Sequence, residues 1–278
     1  MILITGAKGQ LGRELSALLN EKNLSFIGID RDELDITDKD DVDIFFEKNK
    51  PTIVYHCAAY TAVDPAEDEG KELNWLVNVD GTRNIAEASE KVGAKVIYIS
   101  TDYVFDGENQ EMYQVDHEVN PKNEYGKAKL AGEEAVKEIV SNYYIIRTSW
   151  VFGKFGKNFV FTMKKLAEDR PKLTVVDDQF GRPTWTRTLA EFMMYATDNE
   201  IEFGIYHLSN DESCSWYEFA KEILKDENVV VEPVDSSQFP QKATRPKYSV
   251  MDLSKAKATG FEIPTWKDAL FDFLNEIK

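Results

Sequence analysis

A doubly wound parallel α/β sheet with a smaller C-terminal lobe is the fold class this sequence predicts, on three observations. Short apolar runs of β character alternate with amphipathic helical stretches through roughly the first 150 residues. Each run is almost continuously hydrophobic, as strands covered on both faces of a parallel sheet must be. The chain also opens on strand, glycine turn and helix in that order, and in such sheets ligands bind at the carboxyl ends of the strands.

Met1-Ile-Leu-Ile-Thr is the first strand, and it breaks into Gly6, Gly9 and Gly12. Leu11, Leu15, Leu18 and Leu19 then mark the buried stripe of the first helix. Gly6 permits the tight turn, Gly9 lets the backbone approach a pyrophosphate, and Gly12 lets helix and strand pack closely. The start of the helix, with Gln10 and Leu11, offers free N–H groups and a positive dipole end to the anion. The second strand, Ser25 to Ile29, ends in Asp30, placed where a dinucleotide fold keeps its ribose-binding carboxylate. Asp30 disfavours a 2′-phosphate and Arg31 accommodates one, so the site reads as tolerant of both NADH and NADPH.

Next, Asp35-Ile36-Thr37-Asp38 leads into a helix that Thr37 or Asp38 caps. Residues 52–57 form a third strand, followed by Ala58, Ala59 and Tyr60, where small side chains let a flat ring lie near the backbone. The pattern then predicts a long helix over 67–92, a strand over 95–100, a helix over 123–140 and a strand over 143–147. Beyond residue 150 the rhythm loosens. Helices are expected over 158–167, 186–196, 216–224 and 266–277, strands over 173–176 and 204–208, and an irregular proline- and charge-rich stretch over 233–248. The expected division is a Rossmann-type dinucleotide-binding domain over 1–150, its sheet completed by parts of 170–210, and a mainly substrate-binding lobe over 151–278.

Composition narrows the partners. A net charge of −17 without a basic patch argues against nucleic acid and anionic membranes. Cys57 and Cys214 form no CxxC, which fits a reducing cytoplasm better than a disulfide scaffold. His56, His117 and His207 lack metal-ligand spacing, so no metal is assigned, and His56 and His207 read as structural. Met1 leads directly into a strand and no apolar run reaches the ~20 residues of a membrane helix, so a soluble, cytoplasmic protein is expected.

The chemistry lies past the fourth strand. Ser100-Thr101-Asp102-Tyr103 precedes Tyr125-Gly-Lys-Ala-Lys129, which opens a helix. Positions i and i+4 share a helix face, so the Lys129 ammonium reaches the Tyr125 phenol or its surroundings. A cation there lowers the phenol from about 10 and equips it as a general acid. Thr101, at a strand end facing the same cleft, polarises a substrate carbonyl. Hydride delivery to a ketone follows, with Tyr125 protonating the forming alkoxide. Spacing alone decides nothing, because Tyr143/Arg147 and Tyr217/Lys221 repeat it. Only Tyr125/Lys129 comes with the glycine turn, the strand-end acid and the Ser-Thr-Asp triplet.

Over nearly its whole length the chain resembles the extended short-chain dehydrogenases/reductases, and within them the dTDP-4-dehydrorhamnose reductases. The resemblance is carried by Gly6-Ala-Lys-Gly9-Gln-Leu-Gly12, His56 to Asp64, Asn78-Val-Asp-Gly-Thr82, Ser100 to Gly107, Tyr125 to Glu133, Arg147 to Gly153, Asp178 to Thr184 and Arg245-Pro246-Lys247. It implies reduction of the 4-keto group of dTDP-4-dehydro-L-rhamnose, with Thr101, Tyr125 and Lys129 catalytic. It further implies Asp102 and Trp150 on the hexose, Arg245 on the nucleotide part, and Lys129 on the nicotinamide ribose. Asp35 and Ile36 would lie by the adenine, and Ala58, Ala59 and Tyr60 along the cofactor.

Some members dimerise through magnesium held by carboxylates, one at the position of Glu14. Here Pro183 to Thr188 carries no acid before Glu191, so Glu14 reads equally as a first-turn helix acid, and monomer and homodimer both stay open. Two rivals remain. One is another epimerase, dehydratase or reductase of nucleotide sugars on this scaffold. A dehydratase would carry Thr-Asp-Glu, and Tyr103 stands in that third place. The other is a non-catalytic, cofactor-binding subunit resembling the regulatory subunit of methionine adenosyltransferase.

Overall fold

The computed structural model describes residues 1–278. β1 (Ile2–Thr5) runs directly into the glycine turn and α1 (Gln10–Glu21). Gly6 takes φ +66°, and a Cβ there would stand 2.7 Å from the Ala58 backbone. At Gly12 a Cβ would come within 2.2 Å of the Gly6 carbonyl oxygen, so α1 seats on the turn only without a side chain. β2 (Phe26–Ile29), α2 (Lys39–Asn49) and β3 (Ile53–His56) follow. Asp38 rather than Thr37 caps α2, its carboxylate accepting the Asp41 N–H at 3.1 Å.

The single helix expected over 67–92 is interrupted. A 3₁₀ turn spans Pro65–Glu67, α3 spans Lys71–Trp75, a π-helical turn spans Leu76–Gly81, and α4 (Thr82–Val92) follows. The wide turn aims the Asn78 amide at Tyr60, accepting its N–H at 3.1 Å and donating to its carbonyl at 3.0 Å. Such π turns are frequent at functional sites. β4 (Lys95–Thr101), α5 (Glu124–Ile139) and β5 (Tyr143–Thr148) complete the alternation.

Later elements are shorter. They are β6 (Val151–Phe152), α6 (Phe159–Asp169), β7 (Lys172–Val176), β8 (Phe180–Gly181), β9 (Thr184–Trp185) and α7 (Thr186–Asp198). After them come β10 (Gly204–His207), β11 (Cys214–Ser215), α8 (Trp216–Ile223), β12 (Val230–Val234), α9 (Ser254–Ala258) and α10 (Trp266–Glu276).

The main sheet has six parallel strands in the order β2-β1-β3-β4-β5-β10. The winding reverses between β1 and β3, and this switch point opens the crevice where such sheets bind ligands. Strand alternation sends Ile4, Ile97 and Ile146 to one face, against Leu15 and Leu19 of α1 and Phe192 and Met193 of α7. Leu3, Val54, Val96 and Ile145 face the other way, against Val42 and Phe46 of α2, Ile85 of α4 and Val136 of α5. Each such fully buried side chain contributes about 1.5–3 kcal/mol.

A third cluster, including Phe152, Val160, Leu173, Phe219, Trp266 and Phe273, gathers the second half of the chain. The strand expected at 173–176 belongs to this region and not to the main sheet. It pairs in parallel with β12, which enters the stretch expected to be irregular from Pro233. A two-stranded sheet leaves each strand one unpaired side, so Pro233 loses no ladder bond it needs. No helix is long and apolar enough to cross a membrane.

Candidate active site

The carboxyl ends of β1, β2 and β3 open onto a cavity of about 450 Å³. Of the residues expected to hold a cofactor, Gly6, Gly9, Asp30, Arg31, Asp35, Ile36, Ala58, Ala59 and Tyr60 line it. Gln10, Leu11 and Gly12 do not. The Gln10 amide turns to Asn158 at 3.1 Å, Leu11 packs against the core, and Gly12 serves the helix–turn contact. Lys8, which no motif singled out, lines the cavity as well. Its N–H donates to Asp30 Oδ2 at 3.1 Å, and its ammonium bridges Asp32 at 3.1 Å and Glu33 at 2.7 Å. Arg31 donates its N–H to the second oxygen of Asp30 at 2.9 Å. Asp30 is therefore oriented by two backbone N–H groups at the strand end.

Thr101, Tyr125 and Lys129 do not line this cavity. Cys57 lines it and lies within the field of Lys129. Thr101 closes β4, and Tyr125 and Lys129 occupy the opening turns of α5. The Asn123 side chain caps that helix, accepting the Gly126 N–H at 2.7 Å and donating to the Thr244 carbonyl at 2.8 Å. The Thr101 hydroxyl donates to Asp102 Oδ1 at 3.1 Å and accepts the Tyr103 N–H at 3.2 Å. The Tyr125 and Tyr103 rings meet edge to face, centroids 5.7 Å apart.

The electrostatics differ from the expectation in one respect. Lys129 does not lower the Tyr125 phenol. Burial raises it, Asp102 raises it further, and only the Thr101 hydroxyl opposes them. The Lys129 ammonium instead stands 4.0 Å over the Tyr98 ring. Burial draws it down to about 7 against the opposing pull of Glu133. Tyr125 is consequently a neutral phenol, the form that carries a proton to give. His56 is held neutral by burial, between Thr5 at 2.7 Å and Thr82 at 3.1 Å.

Three further residues are placed by partners from distant segments. Asp102 is only 2% exposed, and the protein's own hydroxyls hold its carboxylate. It accepts from Ser249 Oγ at 2.6 Å and from Thr101, and burial pushes it up to about 6. Arg245 is engaged on two sides. Its guanidinium donates to Tyr103 Oη at 2.7 Å and to Asp64 at 2.8 Å while lining a second cavity of about 300 Å³. Glu14 is fully buried in the second turn of α1, so it is neither a first-turn acid nor a surface carboxylate. Burial raises its carboxyl, one oxygen takes the Thr186 hydroxyl at 3.1 Å, and the other has no partner.

Trp150 links the halves. It adopts φ +48°, a left-handed conformation that costs a non-glycine residue about 1–3 kcal/mol and clusters at ligand sites. Its indole stacks on Trp216 at 3.6 Å, and Trp216, Phe159, Phe239 and Arg245 line the second cavity. Thr101 and Asp102 are hydrogen-bonded, the Tyr125 ring meets that of Tyr103, and Lys129 lies one turn further along α5. Sequence reading missed Ser249 and Trp216, because their partners lie far off in the chain and no local pattern marks them.

The whole chain, residues 1–278, matches the family described as RmlD substrate binding domain. It is 41% identical over 277 residues to a dTDP-4-dehydrorhamnose reductase of Streptomyces griseus, covering 96% of this chain and 91% of that one. It is 40% identical over 279 residues to the spore coat polysaccharide biosynthesis protein SpsK of Bacillus subtilis, covering 99% and 97%. Its fold superposes on the dTDP-4-dehydrorhamnose reductase of Bacillus anthracis, solved in complex with NADP, with a TM-score of 0.95 and 43% identity. That match covers 99% of this chain and 98% of the other.

Proposed function

The chain belongs to the RmlD substrate binding domain family, and on that premise we infer that it is an NAD(P)H-dependent dTDP-4-dehydrorhamnose reductase. It reduces the 4-keto group of dTDP-4-dehydro-L-rhamnose to give dTDP-L-rhamnose in nucleotide-sugar biosynthesis. The observation that carries the reading is a glycine-turn cavity at the switch point of the sheet, with Thr101 closing β4 and Tyr125 and Lys129 in the opening turns of α5, the next helix.

The residues present suit a dinucleotide. Gly6 and Gly9 line the cavity, α1 directs its N-terminus there, and Asp30 awaits a ribose hydroxyl. When bound, the nicotinamide supplies the hydride. The chain's own groups handle the oxygen. The Thr101 hydroxyl, now donating to Asp102, turns to the substrate carbonyl and polarises it. The neutral Tyr125 phenol passes its proton to the developing alkoxide, and Lys129 is assigned the nicotinamide ribose. The Trp150–Trp216 stack forms a wall for the sugar, and Arg245 presents a positive charge to the diphosphate from the edge of the second cavity.

Elimination by a dehydratase has no support here, because the third place of the triplet holds Tyr103, engaged by Arg245. No converging group of three or more His, Cys, Asp or Glu side chains fits a metal, and no step is assigned to magnesium. The test follows nicotinamide absorbance with dTDP-4-dehydro-L-rhamnose against a panel of other keto-sugar nucleotides. Oxidation with that sugar first among the panel is expected. Absence of oxidation with every member would overturn the reading.

A further inference from the structure

Directly beneath the proposed proton-donating pair lies a buried ion pair to which the reaction so far gives no task. Arg147 of β5 donates Nε to Glu133 Oε1 at 2.9 Å and Nη2 to Glu133 Oε2 at 2.8 Å. Its third nitrogen reaches the Val115 carbonyl at 3.1 Å. Glu133 is fully buried, and its Oε1 also accepts the Ser100 hydroxyl at 2.5 Å. Three elements therefore meet on one carboxylate. Ser100 immediately precedes Thr101 on β4 and is in register with Arg147 on β5. Glu133 follows Lys129 by one turn of α5, so both side chains lie on one face of that helix.

We propose that Glu133 is a positioning residue for the reduction, clamping the Thr101 strand end to the Tyr125–Lys129 helix and supplying the negative charge that keeps the buried Lys129 an ammonium. The proposal rests on the roles inferred above for Tyr125 and Lys129. A fork-shaped, doubly bonded guanidinium holds a carboxylate at a fixed angle, which a solvated partner would not do. Replacement of such a buried pair by apolar groups is often neutral or stabilising, so stability alone gives little reason to retain it.

The groups facing Lys129 are few. Tyr98 of β4 lies under its ammonium, His56 and Cys57 approach from β3, Glu133 from α5, and Arg147 of β5 stands behind Glu133. His56 is neutral, and burial keeps the Cys57 thiol protonated at neutral pH. Glu133 is thus the anion that offsets the desolvation of Lys129, and Arg147 tempers it.

This arrangement makes two variants act with opposite sign. Glu133→Gln leaves the Arg147 guanidinium unpaired beside Lys129 and eases its deprotonation. The fall of kcat/KM with rising pH then starts about one pH unit lower than in the wild type, a tenfold change in the underlying ionisation. Arg147→Met frees the full charge of Glu133, and the same limb moves to higher pH. Glu133→Asp keeps the charge with a shorter reach, so its limb stays in place while kcat drops more than KM changes. The measurement is the pH profile of each variant that folds, at saturating NADPH, with Tyr125→Phe as the control. Opposite shifts support the proposal, and either single variant that folds gives its own sign. Profiles that superimpose on the wild type, whatever the loss of thermal stability, overturn it. A Tyr125→Phe variant at wild-type rate would instead overturn the catalytic reading on which it stands.

Discussion

Tyr125 and Lys129 show how far a spacing carries at the scale of single residues. Four residues on a helix predict neighbours, but the ammonium settles on the Tyr98 ring and the phenol stays neutral. Tyr125→Phe should cut kcat by about 10²–10⁴ while leaving cofactor affinity unchanged, as loss of a general acid does. Steady-state and binding measurements check this, and a rate within twofold of wild type would remove Tyr125 from the chemistry. Lys129 carries a stability consequence with a defined sign. Burial lowers it from 10.5 to about 7, so between those pH values the unfolded chain holds a proton that the folded chain has released. Stability from this group therefore rises as pH climbs from 7 towards 10, and its cost is fully present below 7. Lys129→Met should raise Tm at pH 7 by about 2–4 °C for each kcal/mol recovered. The gain should shrink near pH 10, and thermal unfolding at the two pH values decides it. An equal gain at both would contradict the linkage.

At the scale of elements, the catalytic helix depends on its first cap. Asn123 joins the Gly126 N–H on one side and the Thr244 carbonyl on the other, tying α5 to the segment that carries Arg245 and Ser249. Asn123→Ala should cost about 1–2 kcal/mol. Circular-dichroism melts should show the loss in Tm, and KM for the sugar nucleotide should rise because the Arg245 segment loosens. An unchanged KM would confine the role of Asn123 to α5 itself. The helix was readable because Asn123 and the apolar face behind it are local signals. The π turn at Leu76–Gly81 was not, since what it satisfies is the Tyr60 backbone on a separate strand end. Strand β12 escaped notice for a related reason. Pro233 counts against a central strand, and only pairing at an edge makes it acceptable.

For the whole molecule, the first cavity lies at the strand ends of the main sheet and the second is lined from the third core cluster. Trp216→Ala removes the ring under Trp150, a stacking contribution of about 0.5–1.5 kcal/mol. KM for the sugar nucleotide should rise several-fold while the affinity for NADPH stays constant. A matching loss of cofactor affinity would mean that the two cavities do not act separately. The sequence by itself determined the parallel sheet, the glycine turn, Thr101 at a strand end and Tyr125 and Lys129 on one helix, because strand hydrophobicity, glycine spacing and helix periodicity are local. Tertiary structure alone decided the neutral phenol, the inward-facing Asp102, the buried Glu14 and the Glu133–Arg147 clamp. Each of those depends on desolvation and on partners from distant segments, and solvent exclusion exists only once the chain has closed around them.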